Sequence, residues 1–279
     1  MSKKTARDVP SWSVSRSALL GSCKRAVFIE LTTESKDRDS GHEVPLRTVV
    51  GSAVHQAIAT QMQRWRTGEP VSSDEAEDFA NNFVSTLWRA KETRITEALN
   101  GMELVDSVYH EMQAAAHHQL RNFFKMIWPQ YSAHSYVAHE YRDSFIVNRA
   151  KVWVQVDLAT RDGEGTLVIS DWKTGWLRHA ESEAFQMAVY ALWANQRYSL
   201  PLDCIRTQVV NLRTGQVVNG TPSDVLLSDT RARIEAEASE LKRLDEPLRF
   251  PASPESQKCI ACRYLHMCID GTRLFASQS

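Results

Sequence analysis

The sequence predicts an α/β fold in which strands in the middle of the chain are flanked by helices on both sides. Apolar residues recur at helical spacing over about 13–130, and β-branched and aromatic residues concentrate over about 131–222. A charged amphipathic helix and an irregular tail are predicted over about 223–279. No linker-like stretch divides these parts, so we expect one domain over 1–279.

The first part is predicted to be helical, because its apolar residues return every three or four positions. Ser15 is a suitable N-cap for the first of these helices, and proline should end the last of them near Pro129. The predicted helices cover about 15–30, 47–66, 73–98 and 103–128.

Three consecutive strands, expected to pair in antiparallel fashion, are predicted in the middle part. Turn signals such as Asp162-Gly163 separate them. Their sequences are "SYVAHEYRDSFIV", "AKVWVQVDLAT" and "TLVISDWKT". The elements expected after them are a helix over about 181–198, a strand over about 203–212, a short strand through Val217 and Val218, and a helix over about 223–244.

Composition narrows the class of protein. The formal net charge is −1, which counts against a strongly basic nucleic-acid binder but leaves room for a local basic groove. No apolar run approaches the roughly 18 residues that span a bilayer, so no membrane partner is expected. The N-terminal "MSKKTARDVPSWS" lacks the apolar segment of a secretory signal. A cytoplasmic, reducing location is therefore expected, where disulfides are rare.

The stretch "GTLVISDWKTGW" ends an apolar strand with a carboxylate and an ammonium group. Asp171 and Lys173 share a face of this strand because side chains alternate. Asp157 ends the preceding strand and should approach Asp171 across the antiparallel pair. A surface salt bridge is the structural alternative, because an Asp-x-Lys pair alone is a weak motif.

Such a convergence suits metal-dependent hydrolysis of a phosphodiester. Carboxylate oxygens are the ligands that Mg²⁺ and Mn²⁺ prefer. A bound cation polarises the phosphoryl oxygen and acidifies water, and a nearby ammonium can position that water or neutralise charge in the transition state. The residues therefore predict a Mg²⁺- or Mn²⁺-dependent site around Asp157, Asp171 and Lys173.

Three other features accompany this group. His55 follows Gly51 by four positions on a predicted helix, although a lone histidine there is also typical of a core residue. Gln186 and Tyr190 share a helical face by the same spacing, which ordinary packing also explains. Glu140 lies on the strand before Asp157 and is most simply a solvent-facing residue.

The order of these motifs resembles that of RecB-like nucleases of the PD-(D/E)XK superfamily. The string Asp171-Trp172-Lys173-Thr174-Gly175 is similar to their "D-Y-K-T-G" signature, and one departure is Val156, where the superfamily name has proline. The resemblance implies a restriction-endonuclease-like core with a central mixed sheet flanked by helices. It implies a metal site formed by His55, Asp157, Asp171 and the backbone carbonyl of Trp172, with Lys173 assisting the water and with Gln186 and Tyr190 supporting the site and contacting DNA.

Four of the five cysteines need a separate explanation. Cys259-x-x-Cys262-x5-Cys268 lies near the C-terminus, and Cys23 is the candidate fourth ligand. On chemistry alone, this set suits zinc or an iron–sulfur cluster equally well. Cys204 falls in a predicted strand, where a buried, unreactive thiol is expected.

The one-plus-three arrangement is similar to the iron–sulfur subgroup of RecB-like nucleases, which includes AddB-type nuclease domains and CRISPR-associated exonucleases. Ser15, Ser17 and Cys23 also resemble the opening of that subgroup. The resemblance implies a [4Fe–4S] cluster on the four cysteines, which clips the N- and C-terminal segments together. Closing a long loop is where such a cross-link lowers unfolded-state entropy most. His266 is a substitute ligand ranked below Cys23.

A nuclease of this type needs a groove in which basic and aromatic groups hold single-stranded DNA. Backbone recognition is expected, since no sequence-reading motif is visible. Trp172 and Trp176 could stack on bases, although core packing explains each of them equally well. The candidate contacts are Lys24, Arg25, Trp172, Trp176, Arg178, Arg263 and Tyr264.

The expected function is a metal-dependent DNA exonuclease that prefers single-stranded ends and carries a [4Fe–4S] cluster. The sequence contains no phosphate-binding loop of an ATP-driven motor, which favours free single-stranded ends as substrate. The resemblance implies a helicase or a CRISPR-adaptation or recombination protein as a partner. Two alternatives remain: a non-catalytic DNA-binding subunit with a degenerate nuclease fold, and a zinc-stabilised interaction module. The intact Asp157, Asp171 and Lys173 argue against the first.

Overall fold

A computed structural model describes residues 11–33, 46–89, 102–175, 180–243 and 247–276. The chain divides into two compact units: the first comprises 1–43, 143–154 and 225–279, and the second comprises 44–142 and 155–224. The expectation of one domain over the whole chain stays a prediction. Within the described ranges, no helix combines the length and apolar character needed to cross a bilayer.

The α-helices in chain order are α1 (Val14–Ser22), α2 (Lys24–Thr32), α3 (Leu46–Thr67), α4 (Ser73–Arg89), α5 (Met102–Asn122), α6 (Trp128–Tyr131), α7 (Ala180–Tyr198), α8 (Asp224–Leu241), α9 (Ser256–Ile260) and α10 (Ile269–Ala276). The strands are β1 (Trp12–Ser13), β2 (Ser135–Val147), β3 (Ala150–Arg161), β4 (Leu167–Lys173), β5 (Ile205–Asn211) and β6 (Gln216–Gly220). A π-helical turn covers Phe123–Ile127, and 3-10 turns cover Leu202–Cys204, Pro247–Arg249 and Leu265–Met267.

The strands form a mixed sheet, as predicted. In the second unit β4 lies between β3, which is antiparallel to it, and β5, which is parallel to it, and β6 pairs antiparallel with β5. The parallel pair is joined by α7, because parallel neighbours need a crossover connection. In the first unit, β1 pairs in parallel with Val152 and Trp153 of β3, and β2 also pairs with β3.

The core of the second unit lies between its helices and the sheet. The apolar face of α3 predicted from helical spacing is buried: Val54 and Ile58 are 0% and 1% exposed. They pack in one cluster with side chains of α4 and α5 and with Leu158 and Val168 of the sheet. This burial fixes α3 against the strands that carry the carboxylates.

The prediction of a single helix over about 15–30 is wrong, because this segment forms two helices, α1 and α2. They separate at Cys23, whose backbone is extended, with φ −158° and ψ 110°. The Cys23 N–H still donates to the Leu19 carbonyl and so closes α1. The N-cap is Ser13 rather than Ser15, since the Ser13 hydroxyl accepts from the Arg16 N–H.

Pro129 does not end the predicted fourth helix. The chain passes through the π-helical turn into α6, where Pro129 occupies the first turn. Proline is tolerated there because the first N–H groups of a helix have no intrahelical acceptor. The helical path therefore continues to Tyr131.

Two further expectations need correction. The tail expected to be irregular contains α9 and α10. Cys204 is only partly buried and lies in a 3-10 turn before β5, so it is not a thiol enclosed within a strand. The predicted helix over about 73–98 is seen as α4 up to Arg89, and the rest lies outside the described residues.

Tyr131 joins the end of the helical segment to the sheet through a buried polar cluster. Its side chain is 2% exposed, and its hydroxyl lies 2.6 Å from both Ser170 Oγ and Gln208 Oε1. Burial raises the pKa of Tyr131 well above its usual range, so the phenol stays a neutral donor. One phenol thus bonds to two neighbouring strands, β4 and β5.

We predict that Tyr131→Phe lowers the free energy of unfolding by about 1–3 kcal/mol, because it leaves buried polar groups with fewer partners. Chemical denaturation followed by circular dichroism measures this change. Gln130→Ala is the control, because Gln130 is exposed and its amide bonds only to the Met126 carbonyl of its own helical segment. Equal stability of the Tyr131→Phe variant and the parent would contradict the assigned role.

Candidate active site

Two carboxylates meet in the ladder between β3 and β4. The register pairs Leu158 with Ser170, which places Asp157 and Asp171 next in line. Both residues are buried, with exposed fractions of 8% and 4%. Asp157 Oδ2 accepts a hydrogen bond of 2.7 Å from the Trp172 N–H, so the backbone of one strand holds the carboxylate of the other.

The carboxylate of Asp171 is contacted by hydrogen-bond donors of α7 and by Lys173, and it also faces the negative charge of Asp157. Its Oδ1 accepts from Gln186 Nε2 at 2.7 Å, and the Tyr190 hydroxyl oxygen lies 3.3 Å from the same Oδ1. Lys173 Nζ lies 2.7 Å from Oδ2, but without hydrogen-bond geometry, so this buried oxygen accepts no hydrogen bond from the described residues. Burial first, and then the charge of Asp157, raise the pKa of Asp171 to about 6.

Gln186 and Tyr190 lie on one face of α7, as predicted, and connect Lys173 to the sheet. Lys173 Nζ donates to Gln186 Oε1 at 2.8 Å, and Gln186 Nε2 lies 2.9 Å from the Tyr190 hydroxyl. That hydroxyl donates to the Gln155 carbonyl at 2.6 Å. Burial, followed by the charges of Asp171 and Asp157, raises the pKa of Tyr190 well above its usual range. The phenol therefore stays protonated and fixes the amide.

His55 projects from α3 towards the same carboxylates. Its Nδ1 lies 3.6 Å from Asp157 Oδ1 and 3.8 Å from Glu140 Oε1. Among the described residues, His55, Glu140 and Asp157 are the one group of three whose ligand atoms lie within 4.8 Å of one another. His55 therefore lies next to Asp157, one of the two carboxylates that the sequence predicted for the metal site.

Glu140 was missed as a site residue by sequence analysis, which assigned it to solvent. Its side chain is 29% exposed, and its backbone has φ +43° in the middle of β2, a conformation uncommon for a residue with a side chain. Gln155 Nε2 donates to Glu140 Oε2 at 2.9 Å. One signal pointed to Gln155: it precedes Asp157 by two positions in a strand and so shares its face. The sequence marked Glu140 only by its place on the strand before Asp157.

The charges of this group depend on one another. Burial lowers the pKa of His55, but its interactions with Asp157 and Glu140 outweigh burial and raise its pKa to about 10. Burial raises the pKa of Glu140, and the interactions with His55 and Gln155 outweigh it and lower that pKa. The imidazolium thus acts as a cation between two carboxylates.

The residues fit a divalent cation. One imidazole nitrogen and two carboxylate oxygens converge, and the buried Asp171 beside them has an oxygen that accepts no hydrogen bond from the described residues. Carboxylates with an imidazole are a donor set for divalent metals. A cation would replace the positive charge of His55, since only the neutral imidazole binds metal.

Gly51 is required by a close approach between α3 and the segment that follows β4. A Cβ atom at this position would lie 2.9 Å from Thr174 Oγ1. Gly51 and His55 belong to the same helix, and Thr174 directly follows Lys173. The absence of a side chain therefore sets the distance between the histidine and the strand that carries the lysine.

A cleft of about 970 Å³ opens beside His55. Its walls come from α3, α5, β2, β3 and the turns after β4 and β5. The residues lining it are Thr48, Val50, Gly51, Ser52, His55, Gln56, Ala115, Gln119, Glu140, Gln155, Thr174, Gly175 and Arg213. The cleft therefore leads to His55 and Glu140 of the candidate metal group.

Of the predicted DNA contacts, two are buried and two lie outside the described residues. Trp172 is 3% exposed and packs edge-on against Phe123 and Tyr131, and Tyr264 is 2% exposed in a small core of the first unit. Neither ring offers a face to a base, so the prediction that they contact DNA needs correction, and core packing is the explanation for Trp172. Trp176 and Arg178 lie outside the described residues.

The basic candidates Lys24, Arg25 and Arg263 belong to the first unit. Lys24 Nζ forms a 2.5 Å ion pair with Glu240. The guanidinium of Arg25 lies over the Phe28 ring at 5.8 Å, and that of Arg263 lies over the Tyr264 ring at 5.6 Å. Their contact with DNA stays a prediction.

The cysteine group, Cys23, Cys259, Cys262 and Cys268, also lies in the first unit. Cys23, Cys262 and Cys268 pack against a small core that includes Tyr264. A Cβ atom at Gly271 would lie 3.6 Å from Cys268 Sγ and 3.7 Å from Cys259 Sγ. Burial, and then the charges of the other three thiols, raise the pKa of Cys262. His266 is exposed, and nothing in the structure assigns it a ligand role.

Asp157 lies inside β3, which continues to Arg161, and not at the end of its strand as predicted. Converging carboxylates on two paired strands, with a histidine and a paired lysine, define the type of site found in metal-dependent phosphodiesterases. The family model of the PD-(D/E)XK nuclease superfamily matches residues 11–269. The chain belongs to this superfamily, whose nucleases depend on a divalent metal. A comparison with curated proteins finds no significant match.

We predict that Gly51→Ala keeps α3 helical but weakens Mn²⁺ binding by about tenfold, because the new methyl group displaces Thr174 and the adjoining strand end. Alanine is otherwise favoured over glycine in a helix by about 1 kcal/mol. Titration calorimetry with Mn²⁺ measures the affinity. The double variant Gly51→Ala/Thr174→Ala should regain it, since the clashing hydroxyl is gone. Unchanged affinity in the single variant would contradict the role of this approach.

We also predict a pH-dependent stability difference between the metal-free parent and His55→Gln. The folded-state pKa of His55, about 10, is above its ordinary value of 6.5. Its stabilising contribution is therefore complete below pH 6.5 and is lost as the pH rises towards 10. Urea unfolding at pH 6, 8 and 10 in EDTA should show a difference that shrinks with pH. A difference that grows with pH would contradict the assigned charge.

Proposed function

We propose that the protein is a divalent-metal-dependent DNA exonuclease that acts on single-stranded ends. The observation that carries the proposal is the convergence, within one compact unit, of His55, Glu140 and Asp157 with the Asp171–Lys173 pair. Membership in the PD-(D/E)XK nuclease superfamily supports hydrolysis of a phosphodiester bond. We assign the metal ligands to His55, Asp157, Asp171 and the Trp172 carbonyl, and add Glu140.

The chemistry that a divalent cation supplies when bound here is polarisation of the phosphoryl oxygen and acidification of water. Lys173 places an ammonium beside the same carboxylates, where it stabilises negative charge that develops on the phosphoryl group. Gln186, which is itself hydrogen-bonded to Tyr190, bonds to both Lys173 and Asp171 and so fixes these two side chains relative to each other. Their hydrogen bonds make the arrangement rigid before substrate arrives.

A preference for single strands follows from the absence of a motor motif in the 279 residues. A helicase or a recombination or CRISPR-adaptation protein is the proposed partner, as the resemblance to RecB-like nucleases implies. Phosphate contacts should dominate binding, because the cleft contains Arg213 and several hydroxyl groups. Affinity should therefore fall steeply as salt rises.

We further propose that the cysteine group holds a [4Fe–4S] cluster, as in the iron–sulfur subgroup of RecB-like nucleases. The spacing in the sequence supports this proposal, since Cys259-x-x-Cys262-x5-Cys268 with a remote Cys23 is the one-plus-three arrangement of that subgroup. A zinc ion on the same four thiolates is the alternative.

We predict that the purified protein degrades end-labelled single-stranded DNA with Mn²⁺ or Mg²⁺ and that EDTA stops the reaction. Asp171→Asn and Lys173→Ala should each reduce the rate by about 10²–10³-fold, because the first weakens a proposed metal ligand and the second removes the ammonium that stabilises charge on the phosphoryl group. Circular dichroism checks that both variants remain folded.

Lys151→Ala serves as the control for these variants, because Lys151 is an exposed lysine of β3 that packs on Trp153 of the first unit. It should retain the parental rate. A folded Asp171→Asn variant with full activity would contradict the site. Cleavage restricted to closed duplex circles at one sequence would contradict the exonuclease assignment.

We predict that anaerobically purified protein is brown and contains about four iron and four sulfide per chain. Cys23→Ser should lose the colour and become sensitive to protease near Cys23 and the C-terminal cysteines, because the cross-link between these segments is lost. Cys204→Ser is the matched control and should change neither property, since Cys204 lies in the second unit. Colourless protein with one bound zinc would overturn the cluster and leave the nuclease site untouched.

A further inference from the structure

The cleft beside His55 contains a buried polar group without a hydrogen-bond partner. Gln119 projects from α5, lines the cleft and is 3% exposed. Its Oε1 accepts no hydrogen bond from the described residues. A buried acceptor left unsatisfied costs about 1–3 kcal/mol, so a folded protein rarely keeps one without a use.

Gln61, a second buried glutamine of the same unit, has a structural role and serves as a comparison for Gln119. Gln61 of α3 is 1% exposed, and its Oε1 accepts a 2.8 Å hydrogen bond from the Ser72 N–H. Gln61 thereby fixes the loop between α3 and α4, and it does not line the cleft. Gln119 has equal burial without such a bond, and it lines a cavity that leads to the metal group.

Besides the imidazolium of His55, the described lining of the cleft includes the cationic side chain of Arg213, which lies on a well-fixed turn. Asn211 Oδ1 accepts from the backbone N–H groups of Arg213 at 2.9 Å and Thr214 at 3.2 Å, and the Arg213 carbonyl accepts from Asn122 Nδ2 at 3.0 Å. These bonds fix the backbone that carries the guanidinium. A guanidinium is suited to a phosphate oxygen.

Besides His55, Glu140 and Arg213, the walls of the cleft are hydroxyls, amides and small apolar side chains, and none of the described residues that line it is Phe, Tyr or Trp. Hydrogen bonds are therefore the main means by which this cleft can hold a base. An amide oxygen accepts from N–H groups, and every unpaired base presents an N–H donor on its pairing edge. Duplex DNA occupies those donors, which favours a single strand and little sequence preference.

Building on the proposed nuclease function, we propose that Gln119 and Arg213 form a nucleotide-recognition subsite for single-stranded DNA. Arg213 binds a phosphate of the strand, and Gln119 Oε1 accepts a hydrogen bond from the N–H donor of an unpaired base. The terminal torsion of a glutamine side chain is broad, so the amide can turn its oxygen to the ligand. The subsite places the strand beside His55 and Glu140.

The test uses Gln119→Met, which keeps the length of the side chain and removes the amide. Binding of a short fluorescein-labelled single strand is measured by anisotropy with Ca²⁺ in a Lys173→Ala background, so that the strand stays intact. Gln119→Met should raise Kd roughly three- to tenfold, the worth of one hydrogen bond. Its melting temperature should equal or exceed that of the parent, because an unsatisfied buried group is removed.

Gln61→Met is the matched control. It should lower the melting temperature, since the Ser72 N–H loses its acceptor, and leave Kd unchanged. Arg213→Gln should reduce the slope of log Kd against log salt by about one, as expected for one lost phosphate contact. A slope equal to that of the parent would overturn the role of Arg213.

Strands with a single abasic unit, moved one position at a time, test whether the base is the partner. At one position the abasic unit should weaken parental binding by the same factor as Gln119→Met and have no further effect in that variant. Unchanged Kd in Gln119→Met, or a melting temperature lowered as in Gln61→Met, would overturn the subsite. The proposed nuclease function fails separately, if the parent cleaves no labelled strand.

Discussion

The site depends on the placement of two buried carboxylates side by side in an antiparallel ladder. Asp157 and Asp171 repel each other, and burial denies them the solvent that would screen the repulsion. The surrounding groups act to balance this charge: a backbone N–H on Asp157, the ammonium of Lys173, and the imidazolium of His55. The negative charge that these groups leave uncompensated is what attracts a divalent cation to this place.

Helices α3 and α7 pack against the sheet, and this packing sets the distances between their side chains and the two carboxylates. α7 presents Gln186 and Tyr190 as a connected pair, so that the lysine and the phenol are held by one amide. α3 brings His55 to the carboxylates only as closely as Gly51 allows, because Thr174 lies directly against that glycine. The apolar face of α3 thus contributes to the site through position as well as through burial.

Several residues of the second unit lower the stability of the fold at positions where the proposed function needs them. Asp171 is buried with a raised pKa, Glu140 has a left-handed backbone conformation, and Gln119 carries an acceptor that no described residue satisfies. Each feature costs folding free energy, and each lies at the carboxylates or in the cleft beside them. Well-satisfied polar residues such as Tyr131 and Gln61 lie away from the cleft and secure the framework.

The sequence by itself determined the strands, most helices and the identity of the central residues. Asp157, Asp171 and Lys173 could be found because alternation in strands is local, as is the helical spacing of Gln186 and Tyr190. Only the tertiary structure decided that Glu140 faces His55, because that contact joins a strand and a distant helix. The same holds for the burial of Trp172 and for the cleft at Gln119: neighbours distant in sequence meet only when the core packs.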